Sequence, residues 1–426
     1  MTARRFWTWT GLASVLGLIL RLIWVFWAAR RPQGLFDPAR YLGHALNIAD
    51  GNGMVEGLTG HVTAYYPPGY PWFLGIVTWI SQPFTDAPWT AAAIVQALLG
   101  AATCVLGALV ARRLAGDRAG VAAAAVLAVY PNLVFHTGVL LGETLYNFLF
   151  LAFLALLLSR PLTDAPTSRF ALCCGVLLGL AVMVRPISLA VVPVVAAGWW
   201  LARRDPRSVA RATLVLLAGV VLCIAPWTIR NALRMDAFVL LSTNTGDNLC
   251  IGHGPDANGA FTLSEACALG QPNSGPTGEV ESDREKTSYA LSQIRSDPAR
   301  EIWLTWRRFY FMWVHSGDHD AVLAVQDYRF DRWMDPVVEQ RLIRAADVAY
   351  WTVLVFGLAG TAVLVVRRRP EGLVLVGCAV MTAAVPLAFF GDSRFKVPVI
   401  PLLIIAAAAL LTDRRPAAAE AEPETA

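Results

Sequence analysis

Apolar residues come in long runs along this chain, and most of the arginines sit in the short stretches between them. A spanning helix needs ~20 mostly apolar residues to cross a hydrocarbon core ~30 Å thick. Segments 6–29, 89–110, 119–137, 141–158, 170–184, 187–201, 214–227, 348–366, 373–390 and 397–411 read as ten such spans. Arg4 and Arg5 precede the first, whose apolar run exceeds a signal-peptide core, so it predicts a retained anchor. Segment 170–201 is too long for one span and short for two, which predicts a hairpin turning at Arg185-Pro186. Gly69–Ser81 has only 13 apolar-rich residues. As a helix it would rise ~20 Å, too little to cross unaided.

Arginine placement decides how that short segment is read. With Gly69–Ser81 re-entrant or interfacial and the N-terminus cytoplasmic, 16 basic residues fall in the short inside segments. Six remain in the short outside segments: Arg30, Arg31, Arg40, Arg185, Arg394 and Lys396. A crossing at 69–81 would switch every later loop and erase this positive-inside bias. The expected class is therefore an all-α polytopic membrane protein with ten to twelve transmembrane helices and a large extracytoplasmic loop. Residues 1–227, with a first outer loop at 30–88, form the N-terminal membrane module. Residues 228–347 form the large outer region, 348–411 the last spans, and 412–426 a disordered cytoplasmic tail.

Composition sharpens this: 56% of the 426 residues are hydrophobic and 15% charged, against ~45–50% and ~25% in soluble proteins. A soluble enzyme, a disordered chain and a disulfide-rich secreted module are all excluded. The net charge of +4 gives no case for nucleic acid. Cys250 and Cys267 share the outer region, where oxidation is permitted, and are expected to pair. The other five cysteines lie in spans.

The remaining charges gather on the expected outer face. Asp37-Pro38 starts a short amphipathic helix, in which Asp37, Arg40, His44 and Asn47 share the polar side. Asp37 there is either a helix cap or a working acid. Tyr65-Tyr66-Pro67-Pro68 forbids a helix and favours an extended turn, read either as an interfacial anchor or as part of a site. Glu143 sits at the end of a span, where it could serve the helix dipole or a substrate. Arg185, Arg230, Arg394 and Lys396 could each be a surface side chain; together, beside two acids, they suggest an anion site with a base. Asn244–Gly259 reads as an irregular loop lidding the acceptor side. At 298–314 a helix begins at Asp297-Pro298. Its aromatic stripe would either pack on the bilayer, line a lipid-chain groove or form core.

These residues resemble the GT-C integral-membrane glycosyltransferases, specifically the glycosyltransferase 39-like group with protein O-mannosyltransferases and the lipid A aminoarabinose transferase. The resemblance runs from Phe6 to Leu411. It rests on Asp37, on Tyr66-Pro67-Pro68-Gly69-Tyr70-Pro71, on Gly142-Glu143-Thr144-Leu145 and on Val184-Arg185-Pro186. Pro226-Trp227 with Arg230-Asn231, Ser242–Leu249, and Arg394-Phe395-Lys396-Val397-Pro398 complete it. It implies transfer of a hexosyl or pentosyl group from a polyprenyl-phosphate sugar to an acceptor hydroxyl on a glycan, lipid or protein, with inversion, on the outer face. Asp37 and Glu143 would be catalytic, and Arg185, Arg230, Arg394 and Lys396 would bind the donor phosphate. Arg40, His44, Tyr65, Tyr66 and Asn244 would line the substrate pocket. No cofactor is required; a divalent cation, Mg²⁺ or Mn²⁺, if present, would lie between Asp37 and Glu143. Relatives carry two adjacent acids in the first loop, where this chain has Asp37-Pro38, and an acidic–basic pair where it has Tyr65-Tyr66. The alternative function is a transporter or flippase of lipid-linked sugars, disfavoured because Arg21 is the only charge well inside a clear span.

Overall fold

The computed structural model describes residues 1–34, 36–57, 59–262, 265–267, 275–327 and 332–411. The expected tail at 412–426 lies outside them. Among the described residues there are helices and two isolated bridges but no strand. The chain runs α1 (Ala3–Ala28), α2 (Asp37–Ala49), α3 (Gly69–Ser81), α4 (Pro88–Ala115), α5 (Asp117–Val129), α6 (Pro131–Phe135), α7 (Glu143–Leu157) and α8 (Ser168–Val184). It continues with α9 (Val192–Arg203), α10 (Pro206–Met235), α11 (Thr245–His253), α12 (Gly275–Ser296), α13 (Pro298–Tyr310) and α14 (Asp320–Asp327). The last three helices are α15 (Pro336–Arg367), α16 (Pro370–Ala384) and α17 (Ile400–Ala408).

Each of the ten expected spans corresponds to helix, but only six helices among the described residues are long and apolar enough to cross alone. The α5 helix and the segment Pro131–Gly138 pass the same test only together and are bent by 60° at Tyr130-Pro131, as in a broken span or a re-entrant loop. Proline there removes a backbone donor and starts a new helix direction. The α7, α8 and α17 helices are shorter. The α10 and α15 helices outrun their expected spans furthest, with 30 and 32 residues, lengths of ~45–48 Å at 1.5 Å per residue. Both therefore carry helix out of the hydrocarbon and into the large loop region.

Helix boundaries follow local chemistry. Asp205 accepts from the Arg207 and Ser208 amides ahead of Pro206, and Asp335 does the same for Val337 and Val338 ahead of Pro336. Each satisfies otherwise orphaned N-terminal donors. Arg204 and Arg368 end α9 and α15 in the left-handed conformation. The predicted hairpin forms, with Arg185 extended between α8 and a 3₁₀ turn at Pro186–Val191. The α8 and α10 helices cross almost backbone to backbone, because a Cβ on Gly175 would fall 2.0 Å from the Leu216 carbonyl oxygen. Gly219 faces Leu172 in the same way.

Arg21, the charge inside the first span, is 2% exposed. Its terminal nitrogens donate to the Gly17, Leu127 and Ala128 carbonyls. It ties α1 to the end of α5, a structural use of a costly charge.

Candidate active site

Four chain segments converge at one end of the helix bundle. Asp37 is the first residue of α2, and Glu143 is the first of α7. Arg185 follows α8, and Arg394 lies in a 3₁₀ turn, Ser393–Lys396, whose Arg394 amide donates to Asp392. Asp37 Oδ1 accepts from the Tyr66 hydroxyl at 2.7 Å, and Oδ2 accepts from Arg394 at 2.8 Å. Arg394 Nε also donates to Glu143, and so does Arg185. One guanidinium thus joins both acids. The cap position of α2 is Phe36, which makes no capping side-chain bond. Asp37 is therefore turned into the cluster instead of capping.

Exposure separates the two acids. The Asp37 side chain is 37% exposed, while that of Glu143 is 0% exposed beneath its two arginines. Only Asp37 is open to an arriving hydroxyl.

The wall around Asp37 comes from α2 and the double-proline turn. Tyr41 packs against Tyr66 at 4.6 Å between ring centroids. Arg40 lies 4.3 Å over the Tyr65 ring and 5.0 Å over Tyr66 while pairing with Glu56 at 3.0 Å. Burial, and then the neighbouring Asp37, push the Tyr66 phenol well above its ordinary range, so it stays a donor. Burial and Asp247 do the same to Tyr65, whose hydroxyl donates to Asp247 at 2.7 Å. The structure brings Asp37, Glu143, Arg185, Arg394, Arg40, Tyr65 and Tyr66 together.

Three expected site residues stand elsewhere, and the fourth, His44, lies behind the tyrosine wall with its ring 5.9 Å from that of Tyr66. His44, read as part of the polar side of α2, is 1% exposed, and its Nδ1 lies 2.9 Å from the Val55 carbonyl. Arg230 donates to the Thr63 and Met54 carbonyls and stacks 4.4 Å over Trp227. It clamps the first loop onto α10. Lys396 is fully buried and donates to the Met312 and Gly317 carbonyls. Asn244 precedes α11 and accepts from Ser242. The segment read as irregular, Asn244–Gly259, contains α11, so that expectation is corrected. The expected disulfide is present, Cys250 to Cys267.

Several polar residues beyond the motifs also matter. Glu279 on α12 accepts from the Thr63 hydroxyl, the Ala64 amide and the Thr243 hydroxyl, stitching both loops together. Lys286 pairs with Asp247 at 2.6 Å. Behind Glu143 lies a second buried group: His136 sits 3.0 Å from Asp320, and Asp318 accepts from Tyr130. An acid on a polar helix such as α12 has no pattern that marks it, and Asp318 and Asp320 differ from other loop acids only through burial.

A shared divalent ion does not fit these donors as they stand. Among the described residues no group of three or more His, Cys, Asp or Glu is arranged to hold a metal. Arg394 already bonds both carboxylates and lies where a bridging cation would have to sit.

Residues 66–229 match the family model described as dolichyl-phosphate-mannose-protein mannosyltransferase. No curated protein sequence matches the chain. The fold is similar to that of the Archaeoglobus fulgidus oligosaccharyltransferase solved with Zn and sulfate, with a TM-score of 0.58, 16% identity, and coverage of 95% of this chain and 48% of that one. It matches the same organism's oligosaccharyltransferase AglB, solved with an inhibitory peptide and a dolichol-phosphate, at a TM-score of 0.58, 14% identity, and coverage of 95% and 50%. ArnT from Cupriavidus metallidurans, bound to undecaprenyl phosphate, has a TM-score of 0.44 at 14% identity over 95% and 78%, too loose to bear on function. The chain spans about half the length of the oligosaccharyltransferase it matches. It is a multi-pass, all-α membrane protein with the fold of these oligosaccharyltransferase structures, and its residues 66–229 carry the sequence likeness to the dolichyl-phosphate-mannose-protein mannosyltransferases.

Proposed function

We propose that this chain is a glycosyltransferase that moves a sugar from a polyprenyl-phosphate donor to an acceptor hydroxyl on the extracytoplasmic face, with inversion. The observation that carries the reading is the junction at Arg394, where one guanidinium meets a half-open acid, Asp37, and a sealed one, Glu143. The sequence match over 66–229 supports the sugar-transfer class, and the arginine bias supports the face.

Asp37 accepts the proton of the acceptor hydroxyl as its oxygen attacks the anomeric carbon. The new C–O bond forms while the bond from that carbon to the phosphate oxygen breaks, and polyprenyl phosphate leaves. Charge growing on the leaving phosphate meets Arg394 and Arg185, whose planar donors suit phosphate oxygens. Phosphate needs no added proton to leave, which explains a site rich in arginine with a single open acid. Glu143 has no exposure to substrate; it orients Arg185 and Arg394 and keeps their charge at the cleft. Arg394 supplies the positive charge that a divalent ion would otherwise bring between the two acids. Tyr66 holds the Asp37 carboxylate in place. The transporter alternative gains nothing from Arg21, whose terminal nitrogens donate to backbone carbonyls.

Asp37→Asn removes the base and keeps the shape. Purified variant in proteoliposomes, given a synthetic polyprenyl phosphosugar, is expected to insert normally and to lose transfer. Turnover at the wild-type rate would overturn the assignment. Glycan profiling of a deletion strain would identify the acceptor class.

A further inference from the structure

Helix α13 is amphipathic with its polarity reversed. Ile302, Trp303, Trp306 and Phe309, at helical spacing, are 77%, 50%, 62% and 39% exposed. Its charged side is turned inward. Arg308 is 1% exposed and donates to the Gly252 and Leu387 carbonyls and to Glu301. Arg300 donates to the carbonyls of His253, Gly254, Pro255 and Ala257. A helix on a water-facing surface presents charge outward and buries its apolar stripe. Four contiguous large apolar side chains facing outward mark a surface made to be covered. From Ile302 to Phe309 the stripe is not the core of the loop region, whereas Trp313 at its end packs against the core.

Two contacts fix where that stripe lies. Arg308 holds the Leu387 carbonyl, inside the last turn of the candidate span Pro370–Ala388. The α13 backbone also lies directly on Gly391, where an added Cβ would come within 2.2 Å of the Arg308 carbonyl oxygen. Gly391 in turn donates to the Gly259 carbonyl. The helix therefore rests at the depth where a span leaves the hydrocarbon, three residues before Arg394. Indole rings favour that boundary, with an apolar body and one polar edge. Arg307 lies against the Trp303, Tyr310 and Phe311 rings. Its Nε donates to the Asn258 carbonyl, and the terminal nitrogens of its long side chain can reach lipid phosphates from there. A lipid surface is thus the occupant that both the depth and the residue types favour over a second protein chain.

We propose that α13 lies in the headgroup–acyl boundary of the leaflet into which the Arg394 turn opens, with Ile302, Trp303, Trp306 and Phe309 against acyl chains and Arg307 at lipid phosphates. The proposal stands on the membrane fold alone. On the transferase reading it also sets the height of Arg394 relative to the phosphate of a lipid-anchored donor.

The test places the photoreactive residue p-benzoylphenylalanine at Trp306, with Ser292 on α12 as the exposed control, in full-length protein in phosphatidylethanolamine–phosphatidylglycerol nanodiscs. Irradiation and mass spectrometry should show a several-fold excess of lipid adducts at 306 over 292. Trp303 offers a second placement if the first variant does not fold. Equal lipid yields at 306 and 292, or crosslinks from 306 to a second copy of the chain, would overturn the proposal. No sugar is involved, so the result does not depend on whether the chain transfers one.

Discussion

Arg394 is the residue whose removal should separate binding geometry from mere folding. It bonds Asp37 at 2.8 Å and Glu143 through a second nitrogen, and its side chain is 19% exposed. Breaking a buried ion pair by deleting one partner costs ~3–5 kcal/mol, but two facts reduce that here. Asp37 is 37% exposed, so its share is closer to the ~0–1 kcal/mol of a surface pair. Glu143 keeps Arg185 on the same oxygen. Arg394→Ala should therefore destabilise the protein by about 1–3 kcal/mol, within the range of most point changes. Its effect on transfer should be larger, because losing one donor to a developing oxyanion typically costs ~10²–10³ in kcat. Arg394→Lys, which keeps charge but cannot bridge both acids, should recover stability more than rate. The assay is single-turnover transfer from a synthetic polyprenyl phosphosugar in proteoliposomes, alongside thermal unfolding in detergent. If the Ala variant turned over within about threefold of wild type, a loss below ~1 kcal/mol in barrier terms, the phosphate role of Arg394 would be refuted.

Other consequences follow from the same contacts. Tyr66→Phe removes a hydrogen bond to a carboxylate, worth ~1.5–3 kcal/mol; it should lower kcat roughly 10- to 100-fold with little change in donor KM, and a KM effect alone would contradict it. Glu279→Gln leaves three donors facing one carbonyl and one amino group, so hydrogen exchange should rise at 63–66 and in α11 together, and unchanged protection would show that the loops dock without it. Burial lifts the Asp318 carboxyl to about 6 against the pull of Lys396, with Asp320, Tyr130 and His136 facing it. Its folded-state value lies above its unfolded one, so its contribution to stability is present in acid and is lost as pH rises through about 6. Melting in detergent should show that fall between about pH 4 and 6 in wild type and a shallower one in Asp318→Asn, and equal slopes would refute it.

The membrane helices were legible because hydrocarbon imposes one strong demand, a long apolar run with its backbone bonds closed internally. That demand says little about where helix continues beyond the lipid. The extension of α15 back to Pro336 is set by its aspartate–proline start, while α10 has that start at its other end and runs on to Met235, so hydropathy stops short of both. Helix α11 escaped notice for a related reason. Glycine, asparagine and aspartate lower its intrinsic propensity, and its formation depends on tertiary support: Asp283 accepts from the Gly246 amide, and Cys250 is bonded to Cys267. His44 misled because a helical wheel sorts residues by side but cannot tell which side meets water. The α2 helix is covered on both, so its histidine is buried against Val55.

The division of labour between Arg394 and Lys396 shows what the charge pattern could and could not convey. Both belong to one turn, and both looked like ligands of one anion. That turn is a 3₁₀ helix, in which residues two apart are rotated by about 240° and so point to different sides. Arg394 reaches Asp37 and Glu143, whereas Lys396 turns into the protein and holds the Met312 and Gly317 carbonyls. Burial pulls the Lys396 ammonium down, while Asp318 and Asp320 oppose that fall. A lysine so enclosed cannot meet a lipid phosphate without leaving its carbonyls uncompensated. Its place is to pin the turn to the segment that follows α13, so that the arginine two residues earlier is aimed at the acids. Clustered charge in the sequence located this end of the molecule, and the handedness and pitch of a single short turn decided which charge faces the cleft.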